Sequence, residues 1–152
     1  MVEEGKAAPD FELGDDRGER VSLSSLRGRP VVLYFYPKDD TPGCTKQACG
    51  LRDVYDAFRE RGAVVLGISP DDAESHEAFR AKYELPFTLL SDPGHEVAES
   101  YGAWVEKNVY GKKSMGVERS TFVIDAGGSV ARVMRKVQPE THAQQVLDAL
   151  PG

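Results

Sequence analysis

The order of signals along this chain predicts an α/β fold: a mixed sheet with helices on both faces and a β-hairpin at its N-terminal edge. Three observations carry this. The run Pro30-Val-Val-Leu-Tyr-Phe-Tyr36 is continuously β-branched and aromatic, as a central strand buried on both faces requires. Strand and helix patterns then alternate, which parallel strands joined by crossover helices produce. Finally, 152 residues with 40 % hydrophobic and 29 % charged content suit one globular unit, expected over residues 1–152. At that size a core forms without disulfide staples or a structural metal.

The elements follow in order. Asp10 to Leu13 and Val21 to Leu23 flank the turn-rich Gly14-Asp-Asp-Arg-Gly18 and read as a hairpin. The central strand ends at Pro37. A helix opens at Pro42, with Thr41 as N-cap and proline in the first turn where it costs no hydrogen bond, and is expected to run to about Arg61 before Gly62. Ala63 to Ile68 form a second buried strand. Ser69-Pro-Asp-Asp72 supplies turn and cap residues for a helix from Ala73 to Tyr83, whose Phe79 and Tyr83 stand four apart on one face. Phe87 to Leu90 make a short strand and His95 to Tyr101 a short helix, while Gly102 to Gly116 show no firm periodicity. Ser120 to Asp125, the turn Ala126-Gly-Gly128 and Ser129 to Met134 form an antiparallel hairpin. Thr141 with Gln144 resembles a capping box for a last helix ending near Leu150. A thioredoxin-like fold fits this order best.

Charge narrows the function classes. A formal net charge of −6 leaves no overall positive field to recruit phosphate backbones or anionic membranes, so no nucleic-acid and no membrane partner is expected. No apolar run approaches the ~20 residues that cross a bilayer, and the first residues lack a basic and apolar leader pattern, so the chain reads as cytoplasmic. The two cysteines, Cys44 and Cys49, are too few for a secreted disulfide framework.

Their placement is more informative than their number. Cys44 falls in the first turn of a helix that follows a buried strand. There, unpaired backbone N–H groups and aligned peptide dipoles stabilise negative charge, so this thiol is expected to ionise below the ~8.5 of a free cysteine. Full ionisation raises the rate of a thiol, about 3 % ionised at pH 7, by roughly 30-fold or about 2 kcal/mol. Anything beyond that must come from groups that organise the electrophile. At ~100° per residue Ala48, Leu51, Tyr55 and Phe58 lie within about 40° of Cys44, whereas Cys49 lies ~140° away. Cys44 is therefore expected to face the core and Cys49 not. Residues five apart in an intact helix have Cα atoms ~8.7 Å apart, beyond the ~7 Å limit for a disulfide, so bridging them requires local unwinding.

Pro37, Thr41 and Cys44 match the Pro-x-x-x-Thr/Ser-x-x-Cys signature of peroxiredoxins, and Cys49, five positions on, resembles the bacterioferritin comigratory protein or peroxiredoxin Q subgroup. The resemblance extends from Ala8-Pro-Asp-Phe11 through Gly67-Ile-Ser69 and Phe87 to Asp92 as far as Arg119-Ser-Thr-Phe-Val-Ile-Asp125. It implies a thiol-dependent peroxidase reducing hydrogen peroxide and organic hydroperoxides. Cys44 would be the peroxidatic residue, oxidised to a sulfenic acid, and Cys49 the resolving one, closing an intrachain disulfide that thioredoxin or a similar dithiol reductant reopens. By the same resemblance Arg119 is the active-site arginine, Thr41 and the Gly43 and Cys44 N–H groups orient the peroxide, and Pro37 shields the pocket from water. It implies no metal, haem or flavin cofactor, and the enzyme is expected to be a monomer.

Each residue also has a plainer reading. Thr41 and Pro42 suit ordinary helix initiation, Arg119 taken alone suits pairing with a surface carboxylate, and the Tyr34-Phe-Tyr36 run suits sheet core. His76, His95 and His142 are scattered in sequence and read as single structural histidines, with His76 on the face of Phe79, rather than as a zinc site. Two other functions remain open at this level. A thiol-disulfide oxidoreductase is disfavoured by the lack of Cys-x-x-Cys. A redox sensor or chaperone-like partner would expose apolar surface when its helix unfolds on oxidation.

Overall fold

The computed structural model describes residues 2–150, so Met1, Pro151 and Gly152, at the ends of the expected 1–152 unit, lie outside the described residues. Its centre is a seven-stranded sheet. In chain order the strands of this sheet and the helices around it are β1 (Glu12–Asp15), β2 (Arg20–Ser22), β3 (Val31–Phe35), α1 (Pro42–Asp53), α2 (Tyr55–Glu60), β4 (Val64–Ser69), α3 (Ala73–Tyr83), β5 (Thr88–Ser91) and α4 (Glu96–Ser100). They continue with β6 (Trp104–Val109), β7 (Lys112–Val117), β8 (Ser120–Ile124), β9 (Val130–Arg135) and α5 (His142–Ala149). The large sheet runs β2-β1-β5-β4-β3-β8-β9, and among the described residues β6 pairs only with β7. Strands β3, β4 and β5 are parallel, and β1, β2, β8 and β9 join antiparallel. The sheet is mixed, as expected.

Alternate residues of β3 explain its unbroken apolar run. Val31, Leu33 and Phe35 enter one core with Leu66, Ile68, Leu90, Phe122 and the α4 residues Val97 and Ala98. Val32, Tyr34 and Tyr36 enter the other with Cys44, Ala48, Leu51, Phe58, Phe79 and Val146, from α1, α2, α3 and α5. Each face of the strand is thus covered, and a polar side chain on either would be desolvated.

Three expectations need correction. The helix from Pro42 does not run unbroken to Arg61. It stops at Asp53, Val54 leaves the helical range at φ −115° and ψ 15°, and α2 begins at Tyr55. Asp53 and Val54 are only moderately poor helix formers, so nothing as strong as glycine or proline announces the break. Thr141 stands at the N-cap of α5 but makes no side-chain cap, its backbone lying at φ −114° and ψ −4° instead of in the extended range. The other half of the expected box is missing because the Gln144 amide donates to Asp148 Oδ1 at 2.8 Å. The segment 102–116 is a β-hairpin, β6 paired with β7 around Tyr110 and Gly111, both at positive φ as a tight two-residue turn requires. Both faces of this ribbon are largely exposed, Val109, Tyr110 and Met115 included, so no alternation of apolar and polar residues marks it.

Candidate active site

The site forms where β3 ends. Because β8 runs antiparallel to β3 with Phe35 opposite Ser120, the residue before β8, Arg119, is delivered beside the C-terminal end of β3, where the chain turns into α1. A backbone bond from Val137 N–H to the Arg119 carbonyl, 3.1 Å, holds it there. Arg119 Nη1 lies 3.2 Å from Cys44 Sγ and donates to it. Cys44 is buried in the core with Ala48 and Leu51, while Cys49 is only half-buried, and both are free thiols. The division of the two cysteines between faces follows the helical arithmetic.

Gly43 is explained by the same arginine. A Cβ at this position would stand 2.6 Å from Arg119 Nη2, so any side chain would push the guanidinium off the first turn. The Gly43 and Cys44 N–H groups have no acceptor among the described residues, whereas Thr45 N–H already bonds the Thr41 carbonyl at 2.8 Å. Two unused donors therefore stand beside the sulfur, where an anion or a polar oxygen is favoured.

Thr41 occupies the N-cap position but does not cap. Its hydroxyl donates to the Lys38 carbonyl at 2.9 Å, leaving its oxygen as an acceptor only. Pro37, half-buried, lies two residues past the end of β3 at this end of the sheet. The loop carrying these residues is clamped by buried polar groups. Asp39 accepts from the Tyr36 hydroxyl at 2.5 Å and from Ser75 at 2.8 Å, faces His76 Nδ1 at 2.7 Å, and gives its own N–H to Asp71 at 2.7 Å. Asp40 binds Lys82 and the Tyr83 hydroxyl from outside. Ligand-type atoms of Asp39, Asp71 and His76 lie within 4.8 Å of one another, and in this arrangement they bond each other and their neighbours.

Gln47 was not anticipated. One turn along α1 from Cys44, it is buried, and its Oε1 accepts from Arg119 Nη1 at 3.0 Å. A glutamine on the core face of a helix, three residues after the cysteine, is the one signal that could have marked it.

The comparisons with known proteins decide the family. The AhpC/TSA family pattern matches residues 5–133. The peroxiredoxin Bcp of Bacillus subtilis is 48 % identical over 149 residues, covering 98 % of this chain and 95 % of the relative. The chain belongs to the AhpC/TSA family of peroxiredoxins. The chloroplastic peroxiredoxin Q of Oryza sativa subsp. japonica is 50 % identical over 150 residues, covering 98 % of this chain and 67 % of its own. Among solved structures, the bacterioferritin comigratory protein of Xanthomonas campestris superposes with a TM-score of 0.91 at 36 % identity, over 97 % of this chain and 96 % of that one. The protein is accordingly a peroxiredoxin enzyme with the thioredoxin-like fold, acting on peroxide at the expense of a thiol. No described helix is long and apolar enough to cross a membrane.

In this peroxiredoxin one histidine is more than an isolated structural residue. His142, fully buried at the start of α5, pairs Nδ1 with Gln47 Nε2 at 3.3 Å and Nε2 with Thr121 Oγ1 at 2.6 Å. Burial, and secondarily the Arg119 charge, push its pKa from 6.5 down to about 4. The unfolded chain gains a proton here below pH 6.5 that the folded chain refuses until about pH 4, so acid favours unfolding. Between pH 7 and pH 4 this one group should remove about 3 kcal/mol of stability. Urea denaturation at the two pH values should show that loss in the wild type and a correspondingly smaller one in His142→Asn. Equal losses in both proteins would refute the assignment.

Proposed function

We propose that the protein reduces hydrogen peroxide and small organic hydroperoxides through Cys44, resolves the product with Cys49, and is recycled by a thioredoxin-type dithiol. The observation that carries this is the Arg119 guanidinium 3.2 Å from the Cys44 sulfur at the open end of α1. The Cys44 thiolate attacks one peroxide oxygen, the O–O bond breaks, and the departing oxygen takes a proton to leave as water or an alcohol, giving the sulfenic acid. Arg119 and the Gly43 and Cys44 N–H groups supply donors where negative charge develops on the oxygens. Thr41, already donating to Lys38, accepts the peroxide hydrogen and so selects its orientation. Pro37 limits water at the same end of the strand. That the Xanthomonas campestris relative is described with alkyl peroxide reduction activity supports the organic part of the substrate range.

Condensation of the Cys44 sulfenic acid with the Cys49 thiol releases water and forms the disulfide. With α1 helical from Pro42 to Asp53, the two sulfurs are five residues apart on an intact helix, so this segment unwinds for the bond to close. Both sulfurs belong to one chain, and the cycle needs no second copy. Exchange with a dithiol then restores two thiols.

The test is mass spectrometry of peroxide-treated protein together with Cys49→Ser. The wild type should accumulate a Cys44–Cys49 disulfide, two hydrogens lighter. Cys49→Ser should keep the first oxidation within about threefold, stop as a sulfenic acid and overoxidise, and lose turnover with a thioredoxin-type reductant. Turnover retained by Cys49→Ser would overturn the assignment of the resolving residue.

A further inference from the structure

Behind Arg119 lies a buried chain of polar groups whose hydrogens can be assigned by elimination. A guanidinium has donors only, so the Gln47 atom 3.0 Å from Arg119 Nη1 is the amide oxygen. The Gln47 amide nitrogen therefore faces His142 Nδ1 at 3.3 Å, and a donor there requires Nδ1 to be bare. The ring proton then sits on Nε2 and donates to Thr121 Oγ1 at 2.6 Å. All three of Gln47, Thr121 and His142 are excluded from solvent, so no water can replace a lost partner without reorganisation.

We infer that His142 is a positioning residue for peroxide reduction, its bare Nδ1 holding the Gln47 amide oxygen toward Arg119 and so keeping the guanidinium on the Cys44 sulfur. The arrangement tolerates one tautomer. A hydrogen on Nδ1 would oppose the Gln47 NH2 group; turning the amide to relieve that clash would set the NH2 against the Arg119 donors. The sulfur's partner would then be displaced from the site although no residue touching peroxide had changed. The groups facing the ring from the elements around it are Gln47 on α1, Arg119 ahead of β8, Thr121 on β8 and the ring of Tyr34 on β3, centred 5.9 Å away. None of these is an anion that would favour an imidazolium, and Arg119 opposes one. His142 touches neither Cys44 nor the peroxide and acts through Gln47.

This inference rests on the assignment of Cys44 and Arg119 made above, and its test separates the two. Stopped-flow measurement of Cys44 oxidation by hydrogen peroxide should give His142→Phe, which fills the space without an acceptor, a rate constant roughly tenfold below wild type. His142→Asn, whose Oδ1 takes the place of Nδ1, should recover to within about threefold. In a Gln47→Leu background, His142→Phe should add no further loss, because the route it acts through is already cut. A merely structural role for His142 would lower stability in both backgrounds and leave the two rate effects additive. Independently of activity, 15N–1H NMR of the imidazole should show the neutral Nε2–H tautomer at pH 7. Additive rate losses, or an Nδ1–H tautomer or imidazolium at pH 7, would overturn the inference. A wild type whose Cys44 does not react with peroxide would overturn the proposed chemistry instead and leave the NMR result to judge His142.

Discussion

Replacing Cys44 by serine should reduce peroxide consumption by the reduced protein to the rate of a protein-free control, a loss of at least about 10³-fold. The substitution changes one atom, from the sulfur of a thiol to the oxygen of an alcohol, a far weaker nucleophile toward an O–O bond. Among the described residues the alcohol has no general base hydrogen-bonded to it: Arg119 only donates, and the Thr41 hydroxyl is turned to Lys38. Nor can an oxygen at this position store the transferred oxygen as a sulfenic acid does, so the chemistry ends at the first step. The fold should survive, since serine is slightly smaller and can accept the Arg119 hydrogen bond. Circular dichroism and urea denaturation of the variant exclude the trivial explanation. A stopped-flow trace with folded Cys44→Ser protein that matched wild type would remove the chemical basis of the proposed function. Comparison with Cys49→Ser sharpens the result, because that variant keeps the attacking sulfur and should fail only after one turnover.

How much of this was legible in the sequence differs between the sheet and its surroundings. The strands β3 and β4 were visible because burial on both faces forces a nearly unbroken apolar run, and β8 because the turn Ala126-Gly-Gly128 sets it off as one arm of a hairpin. The helix α3 was bounded by Asp72, which does cap it, accepting from Ser75 N–H at 2.9 Å. The ribbon of β6 and β7 was not legible, because it pairs only with itself and buries little. The kink at Val54 was hidden for the opposite reason: Tyr55 and Phe58 still reach the core on the far side of it, so the helical spacing carries straight through the break.

The site divides in the same way. The cysteines, Thr41, Pro37 and Gly43 lie within one short stretch, and local helix geometry was enough to separate the buried sulfur from the half-buried one. The hydroxyl of Thr41 was misjudged, because its side chain turns back to donate to the Lys38 carbonyl and leaves the oxygen off the first N–H groups of α1, an orientation that the sequence does not specify. Arg119 is 75 residues from Cys44 and reaches it only through the antiparallel register of β3 and β8, a pairing that no pattern in either segment specifies. Gln47 and His142 are harder still. Each is a polar residue on an apolar face, a placement that costs free energy unless partners are waiting, and the partners lie on three different elements.

Arg119→Leu should lower the rate of Cys44 oxidation by roughly 100- to 1,000-fold, the range found when one preorganised donor is taken from a reacting oxygen or its nucleophile. Two losses combine. The sulfur loses its hydrogen-bond donor, and the Gln47 oxygen, buried and without another partner among the described residues, is left unsatisfied at a cost of about 1 to 3 kcal/mol in stability. Arg119→Lys separates charge from geometry. An ammonium restores the positive charge but not the planar fork that reaches sulfur and amide together, so it should recover only part of the rate, to within roughly tenfold of wild type. Stopped-flow kinetics of reduced protein with hydrogen peroxide give the ordering Arg above Lys above Leu, and urea denaturation gives the stability cost separately. Were lysine fully active, charge alone would suffice and the Gln47 contact would be incidental to the chemistry. Were leucine as fast as arginine, the 3.2 Å contact between guanidinium and sulfur would have no catalytic meaning, and the helix N-terminus would have to supply the entire acceleration.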